Sequence, residues 1–398
     1  MNILIMSPVF PYPLDNGGKI RTYNIVKNLS RHHKITFACL SGAKVDDDGP
    51  LREFCEEIIC IERKANTVRD LLTSLLSRSP FNCVRFRSWS FKDALQKLGR
   101  QRSFDIVHID STLLWQYAEL FSGTSTTLGT HNVEYQIIAQ LGKACRNPLK
   151  KALYALERKK LINHERRAWR ECSLCFAVSD VEQSLINSYL DASDKVITAP
   201  NGVDLERFAF RLKVEAGRNL LFLGGMDYLP NLDSAGYFLQ EIYPLIEARM
   251  PGVTVDFVGR ELWRLGIRSS SRGITLNENV PDVVPWFEKA DALVVPLRMG
   301  AGTRLKVLEA MAAGVPVVTT TKGCEGIAAV HDTHLLVADS SEDFARQVVR
   351  LLQNDGLRTS VAHNARRLVE QKYSWSSIVG DMEAELRKLP QAARREDH

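Results

Sequence analysis

No stretch of this 398-residue chain approaches the ~20 consecutive apolar residues that a membrane span requires. The amino terminus, MNILIMSPVF, has no basic n-region and meets Pro8, Pro11 and Pro13 after a few apolar residues, so it reads as a first strand and not as a secretory signal. Neither first strand of the two halves runs into GxGxxG, which argues against a nicotinamide dehydrogenase. The eight cysteines (39, 55, 60, 83, 145, 172, 175 and 324) are scattered, mostly among apolar neighbours, which suits a reducing compartment better than a disulfide framework. Cys172 and Cys175 form a lone CxxC with no second pair at zinc-finger spacing, and the alternation in CSLCFAVS makes them part of a buried strand. There is no low-complexity linker. These absences lead to the expectation of a cytoplasmic protein.

What is present is an ordinary globular composition, 45% hydrophobic and 25% charged, in a length that suits two domains of roughly 200 residues. Its charge is uneven. Residues 1–198 hold 28 Lys and Arg against 21 Asp and Glu, a net of +7, while the remainder holds 24 against 26. Much of the excess lies in RKANTVRDLLTSLLSRSPFNCVRFRSW and KACRNPLKKALYALERKKLINHERRAWR, where basic side chains interleave with Leu, Phe and Trp. Such segments suit either an anionic membrane surface or a pair of solvated helices. No nucleic-acid motif accompanies the charge, so nucleic acid is not expected as a partner.

Strand-like runs alternate with helical periodicity along the whole chain. ILIMSPV, KITFACL, FDIVHID, STTLGTH and CSLCFAVS mark the first half; NLLFLGG, VTVDFVG, DALVVPL and GVPVVTT mark the second, with helical patterns such as SAGYFLQEIYPLIEAR between them. This predicts the α/β class, with two Rossmann-like domains facing across a cleft. The boundary falls near KVITAPNGVDLERF, at an Asn-Gly turn. The expected divisions are an N-terminal domain over 1–198, a C-terminal domain over 199–373, and a last helix, 374–398, returning to the first. In open α/β sheets ligands bind beyond the carboxyl ends of the strands.

One stretch, PLRMGAGTRLKVLEAMAAGVPVVTT, reads as strand, turn, then a helix opening with Arg304 and Lys306 and stopped by Gly314 and Pro316. Gly300 and Gly302 therefore sit at a helix amino terminus, where free N–H groups and missing side chains admit a phosphate. Two cations at that end are opposed by the helix dipole unless an anion is bound there. Glu309, about one turn on, is placed to accept hydrogen bonds from a diol. The same residues also suit a surface i, i+3 ion pair behind a plain turn.

Those features, together with APNGVD, GGMDYLPN, THNVE and the early PYPLDNGGKIRTYN, resemble a family 4 glycosyltransferase of the two-domain GT-B fold over nearly the whole chain. The resemblance implies a hexosyltransferase that transfers a sugar with retention from a nucleotide-diphosphate sugar, the donor held mainly by the C-terminal domain. A Glu, seven residues, Glu motif touches sugar and ribose in that family. Glu309 matches its second carboxylate, while the first falls on Ala301, so backbone amides of Gly300, Ala301, Gly302 and Thr303 are expected to meet the sugar hydroxyls. The first loop of the C-terminal domain, which includes Gly225, commonly carries an Arg and a Lys toward the diphosphate; here Met226 and Asp227 occupy that place, and Arg304 and Lys306 become the expected replacements. No carboxylate-rich cluster is visible and no metal or other cofactor is expected.

By the same resemblance Gly17 and Gly18 form a glycine loop near the donor phosphate, and His131 hydrogen-bonds a hydroxyl of the transferred sugar with Glu134 as a neighbour. Val280 and Pro281 meet the base, and Arg260 stacks on it. The implied reaction is front-side attack, the leaving phosphate oxygen taking the acceptor proton. A double displacement would need a carboxylate nucleophile, and the context of Asp110 or Glu134 favours neither. The basic first half points to a lipid-linked or polysaccharide acceptor and to peripheral association with the inner membrane face. A nucleotide-sugar epimerase and a non-catalytic sugar-nucleotide binding protein of the same fold remain alternatives.

Overall fold

The computed structural model describes residues 1–14, 16–42, 49–63, 66–145, 147–190, 194–213, 217–267, 273–300 and 304–390. They form two compact units, Met1–Pro200 joined by the chain from Ile378 onward, and Asn201–Ser377.

The first unit holds strands β1 (Asn2–Ser7), β2 (Lys34–Ser41), β3 (Glu57–Glu62), β4 (Ile106–Ile109), β5 (Ser125–Gly129), β6 (Leu174–Ala177) and β7 (Val196–Thr198). All pair in parallel in the order β3-β2-β1-β4-β5-β6-β7. Around them lie helices α1 (Gly17–Leu29), α2 (Thr67–Leu75), α3 (Phe81–Arg85), α4 (Trp89–Gln101), α5 (Glu134–Ala144), α6 (Pro148–Glu171) and α7 (Asp180–Asn187). Helices on both faces bury both sides of a parallel strand, which is why β1, β2, β4 and β6 read as nearly unbroken apolar runs. Cys175 lies in β6, but Cys172 precedes it as the cap of α6; both are buried, and all eight cysteines are free thiols.

The second unit carries β8 (Asn219–Leu223), β9 (Thr254–Gly259), β10 (Ile274–Glu278), β11 (Ala292–Val295), β12 (Val317–Thr319) and β13 (Leu336–Val337), also all parallel, in the order β10-β9-β8-β11-β12-β13. Its helices are α8 (Leu229–Tyr237), α9 (Tyr243–Arg249), α10 (Val284–Lys289), α11 (Leu305–Ala313), α12 (Ser341–Gln353) and α13 (Asp355–Lys372). Alternate side chains serve opposite cores, as a two-residue period demands: Leu220, Phe222, Ala292 and Val294 enter one cluster, Leu221, Leu293 and Val295 the other. The pattern SAGYFLQEIYPLIEAR is not one regular helix, because Pro244 has no N–H to donate; a π-helical turn over Phe238–Ile242 joins α8 to α9. The final helix, α14 (Trp375–Leu386), belongs to the first unit from Ile378 on, where Glu383 lies 3.0 and 3.2 Å from ring nitrogens of His32 and His33.

Strand order reverses between β1 and β4 in one unit and between β8 and β11 in the other. A crevice beyond the carboxyl ends is expected at each of these points.

Candidate active site

In the second unit the crevice is built on main chain. The loop after β8 runs beside the end of β9, with Gly224 N donating to Val258 O at 2.9 Å and Met226 N to Arg260 O at 2.8 Å. A Cβ on Gly259 would land on the carbonyl oxygen of Gly224, so no side chain fits between the two strand ends. Lys306, the second residue of α11, reaches back to this loop: its ammonium donates to the Leu223 carbonyl and, at 3.1 Å, to Asn231 Oδ1, and Asn231 Nδ2 donates to Gly225 O at 3.0 Å. An ammonium has three donors, and two are used among the described residues. Burial, and after it the neighbouring Arg304, bring the Lys306 pKa down to about 8, against the pull of Glu309.

Glu309 is partly buried and accepts no hydrogen bond from another described residue. Burial pushes its carboxyl up to about 7, with Arg207 and then Lys306 opposing. Arg207 went unnoticed in the sequence although it lies in the PNGVDLERF segment; it is held by Asp282 at 2.9 Å. Val280, just before, is partly buried against the core beneath α11.

Arg304 lies outside the helix that the sequence had it open. It caps α11 in a non-helical conformation (φ −83°, ψ 76°), and its buried side chain donates from Nη2 to Lys322 O at 3.5 Å. Gly300 adopts φ +110°, and a Cβ there would stand 3.4 Å from Arg304 Nη2 and 3.3 Å from Pro230. The left-handed φ favours glycine at 300, and the close approach of Pro230 and Arg304 leaves little room for a side chain. Ala301, Gly302 and Thr303 lie outside the described residues. Arg260, expected at the base, is paired with Asp227 at 2.9 Å and remains about half exposed; Met226 is packed into the aromatic core. Arg264, unremarked in the sequence, donates to Met226 O at 3.1 Å.

In the first unit, Gly17 and Gly18 are the first two residues of α1 and not part of a loop, with Asn16 as cap accepting from Lys19 N. A Cβ on Gly18 would lie 3.7 Å from His131 Nδ1, which sets the start of α1 against the segment following β5. His131 Nε2 is 3.2 Å from Asp110 Oδ2. Thr22, one turn into α1, bonds the same oxygen. His108 Nε2 stands 3.9 Å from Asp110 Oδ1, with His108 Nδ1 and Thr127 Oγ1 at 2.9 Å. Burial alone would push the Asp110 carboxyl up, but His131 and His108 outweigh it and hold it well below the usual range.

The His131 segment is fixed from behind. Glu165, buried on α6, accepts from the amides of Glu134 and Tyr135 at 2.9 and 3.0 Å and so caps α5. Burial pushes Glu165 up to about 8 despite those two donors, and also raises Glu134. Arg21 is buried beside this group, donating to Pro200 O at 3.0 Å. Among the described residues no group of three or more His, Cys, Asp or Glu is arranged to hold a metal ion.

Two family models match the chain: Glycosyltransferase Family 4 over residues 15–207 and Glycosyl transferases group 1 over residues 217–354. An uncharacterised 44.6 kDa protein of the cps region of Klebsiella pneumoniae is 21% identical over 393 residues, 94% of this chain and 97% of the relative. A D-inositol 3-phosphate glycosyltransferase of Actinosynnema mirum is 31% identical over 229 residues, which span 50% of this chain and 54% of the relative. Among solved structures, Anabaena HepE in complex with UDP-glucose superposes with a TM-score of 0.66 at 12% identity, covering 98% of this chain and all of that one. The fold is GT-B, and the chain belongs to the group 1, family 4 glycosyltransferases.

Proposed function

We propose that this glycosyltransferase moves a hexose, with retention, from a nucleotide-diphosphate sugar to a hydroxyl of a glycan or lipid-linked acceptor. The observation that carries the reading is Glu309: a carboxylate beside Lys306, at the point where the second sheet reverses, with no hydrogen bond from another described residue. A vicinal diol supplies the two donors such a carboxylate lacks. Lys306 and Arg304 take the diphosphate, and stabilise it as it leaves. His131, oriented by Asp110, hydrogen-bonds a hydroxyl of the transferred sugar. The acceptor attacks from the face that the diphosphate leaves, and the leaving oxygen takes its proton. Asp110 is unsuited to act as a nucleophile, since it is buried and bonded to Thr22 and His131. UDP is the first nucleotide to try, because HepE binds UDP-glucose.

A lipid-linked acceptor is supported by α2. Its buried residues are Asp70 and Ser74, while Val68, Leu71, Leu72, Leu75 and the following Leu76 are exposed, an inverted arrangement. Leu149, Leu153 and Leu156 form a second exposed row on α6, whose Lys160 donates to Ser74 O. With Arg69, Lys150, Lys151 and Lys159 beside these leucines, the face is suited to an anionic bilayer surface. No helix of the described residues is long and apolar enough to cross a membrane. Calorimetry with UDP, GDP, ADP and their sugar conjugates tests the donor reading. Product from donor alone, without acceptor, would instead mark an epimerase, and binding with neither transfer nor hydrolysis a non-catalytic protein.

A further inference from the structure

A groove of about 920 Å³ lies wholly within the first unit, away from the residues around His131, although Lys160, which reaches Ser74 of α2, also lines it. Thr124 and Ser173, which line it, stand just before β5 and β6, at the amino ends of strands whose carboxyl ends lead to His131 and to α7. Seven residues at ~3.3 Å each separate Thr124 from His131, so the groove reaches about 20 Å from the crevice. Its walls carry Arg78, Arg87, Lys92, Lys160 and Arg167 against Glu119 and Glu171. Glu171 is already engaged, by Trp115 Nε1 at 3.0 Å and Arg167 Nε at 2.7 Å. Around α6 a second depression, about 370 Å³, shares Asn163, Arg167 and Glu171 with the first and adds Arg166 and Arg170. The two make one cationic track.

The cations are separated by Ser, Thr, Asn and Gln side chains and by the indole of Trp89, which is 86% exposed. An exposed indole offers an apolar plate to the C–H face of a pyranose ring. A duplex with a negative charge every ~1.7 Å asks for a denser row of cations. Spaced charge, intervening hydrogen-bonding groups and an aromatic plate match a chain of sugar rings that carries at most one acid per ring. We propose that this track binds an acidic polysaccharide, bearing carboxylates or phosphates, at a site separate from the one around His131. The choice of a glycan rests on the glycosyl-transfer reading above; the demand for an extended polyanion rests on the track itself.

Affinity electrophoresis of the full chain through gels holding alginate or neutral dextran tests it. Alginate should retard the protein and dextran should not, and rising salt should abolish the effect. Arg78→Glu with Arg170→Glu, both on exposed positions, should raise the apparent Kd for alginate at least ten-fold, and Trp89→Ala several-fold, while calorimetric binding of UDP, GDP or ADP stays as in the parent protein. Absence of retardation in alginate at low salt overturns the proposal. So does equal retardation by dextran, tighter binding of a single-stranded RNA oligomer, or variants that migrate like the parent. If alginate binds at the track but no nucleoside diphosphate or sugar conjugate binds at all, the donor reading fails and the track stands.

Discussion

His131 Nε2 lies 3.2 Å from Asp110 Oδ2, and the same oxygen is bonded by Thr22 from the first turns of α1. The imidazole is thus aimed by a buried carboxylate held below its usual range, burial being outweighed by the two histidines. Asp110→Asn should cut transfer strongly while leaving nucleotide affinity within about two-fold, and it should lower stability, since hydrogen bonds to a charged carboxylate are worth about 1.5–3 kcal/mol each. Because the folded-state pKa is depressed, this stabilisation is present above the unfolded value near 4 and is lost as pH falls below it. The gap between parent and variant in thermal melts should therefore narrow as pH falls below about 4 without closing by about pH 3, since Asp110 stays ionised well below its usual range in the folded protein; a constant gap would remove the ionised carboxylate as cause.

Glu309→Ala should weaken nucleotide binding by about 2 to 4 kcal/mol if the carboxylate accepts two ribose hydrogen bonds. Calorimetry on a folded variant decides it, and unchanged affinity would exclude the ribose contact.

Binding of nucleoside diphosphate should also depend on pH. Glu309 must be ionised, which favours values above about 7, and Lys306 must be protonated, which favours values below about 8. Affinity should peak between those two values. Glu309→Gln should remove the acid limb alone. The stability linkage of Glu309 has the opposite sign to its binding limb: with a raised folded-state pKa, its contribution is full below the unfolded value near 4.3 and is lost as pH rises through about 7.

Replacing Arg304 and Lys306 together by Gln should weaken UDP binding at least ten-fold, since charged hydrogen bonds are worth about 1.5 to 3 kcal/mol each. Uridine, with no phosphate, should bind almost as before. A variant that still prefers UDP to uridine by the parent's margin would move the phosphate contact to another cation, Arg21 or Arg260 being next to test.

Sedimentation with phosphatidylglycerol vesicles should carry the protein down at low salt and release it as salt rises, because the attraction is screened within about 10 Å at 0.1 M. Phosphatidylcholine vesicles should bind little, and Leu72→Glu with Leu76→Glu should abolish sedimentation. Equal partition to both lipids would leave α2 as a solvated face.

The buried strands were legible because sheets covered on both sides need apolar runs, as in β1, β2 and β11. β3 escaped notice because it is an edge strand, partly exposed, with acids at both ends of EIICIE. The Gly300 turn and Glu309 stand close together in the chain and could be read as one motif. The Thr22, Asp110 and His131 cluster could not, since its members come from α1, the end of β4 and the end of β5 and meet only when the sheet assembles. The sequence shows Lys306 only as a cation at the start of a helix; its bond to the Leu223 carbonyl depends on where β8 ends, which no local pattern states. For α2, hydrophobic spacing identified a helix but not which side faces outward.

The glycine contact between the ends of β8 and β9 gives the crevice of the second unit a floor without side chains. Substitution can reshape the rim at Asp227, Arg260 or Val280 and leave that floor at the same height. We expect families of such chains to exchange donors by rim changes alone, whereas even a methyl group at Gly259 would displace Gly224, the adjoining end of β8 and the lysine anchored to it.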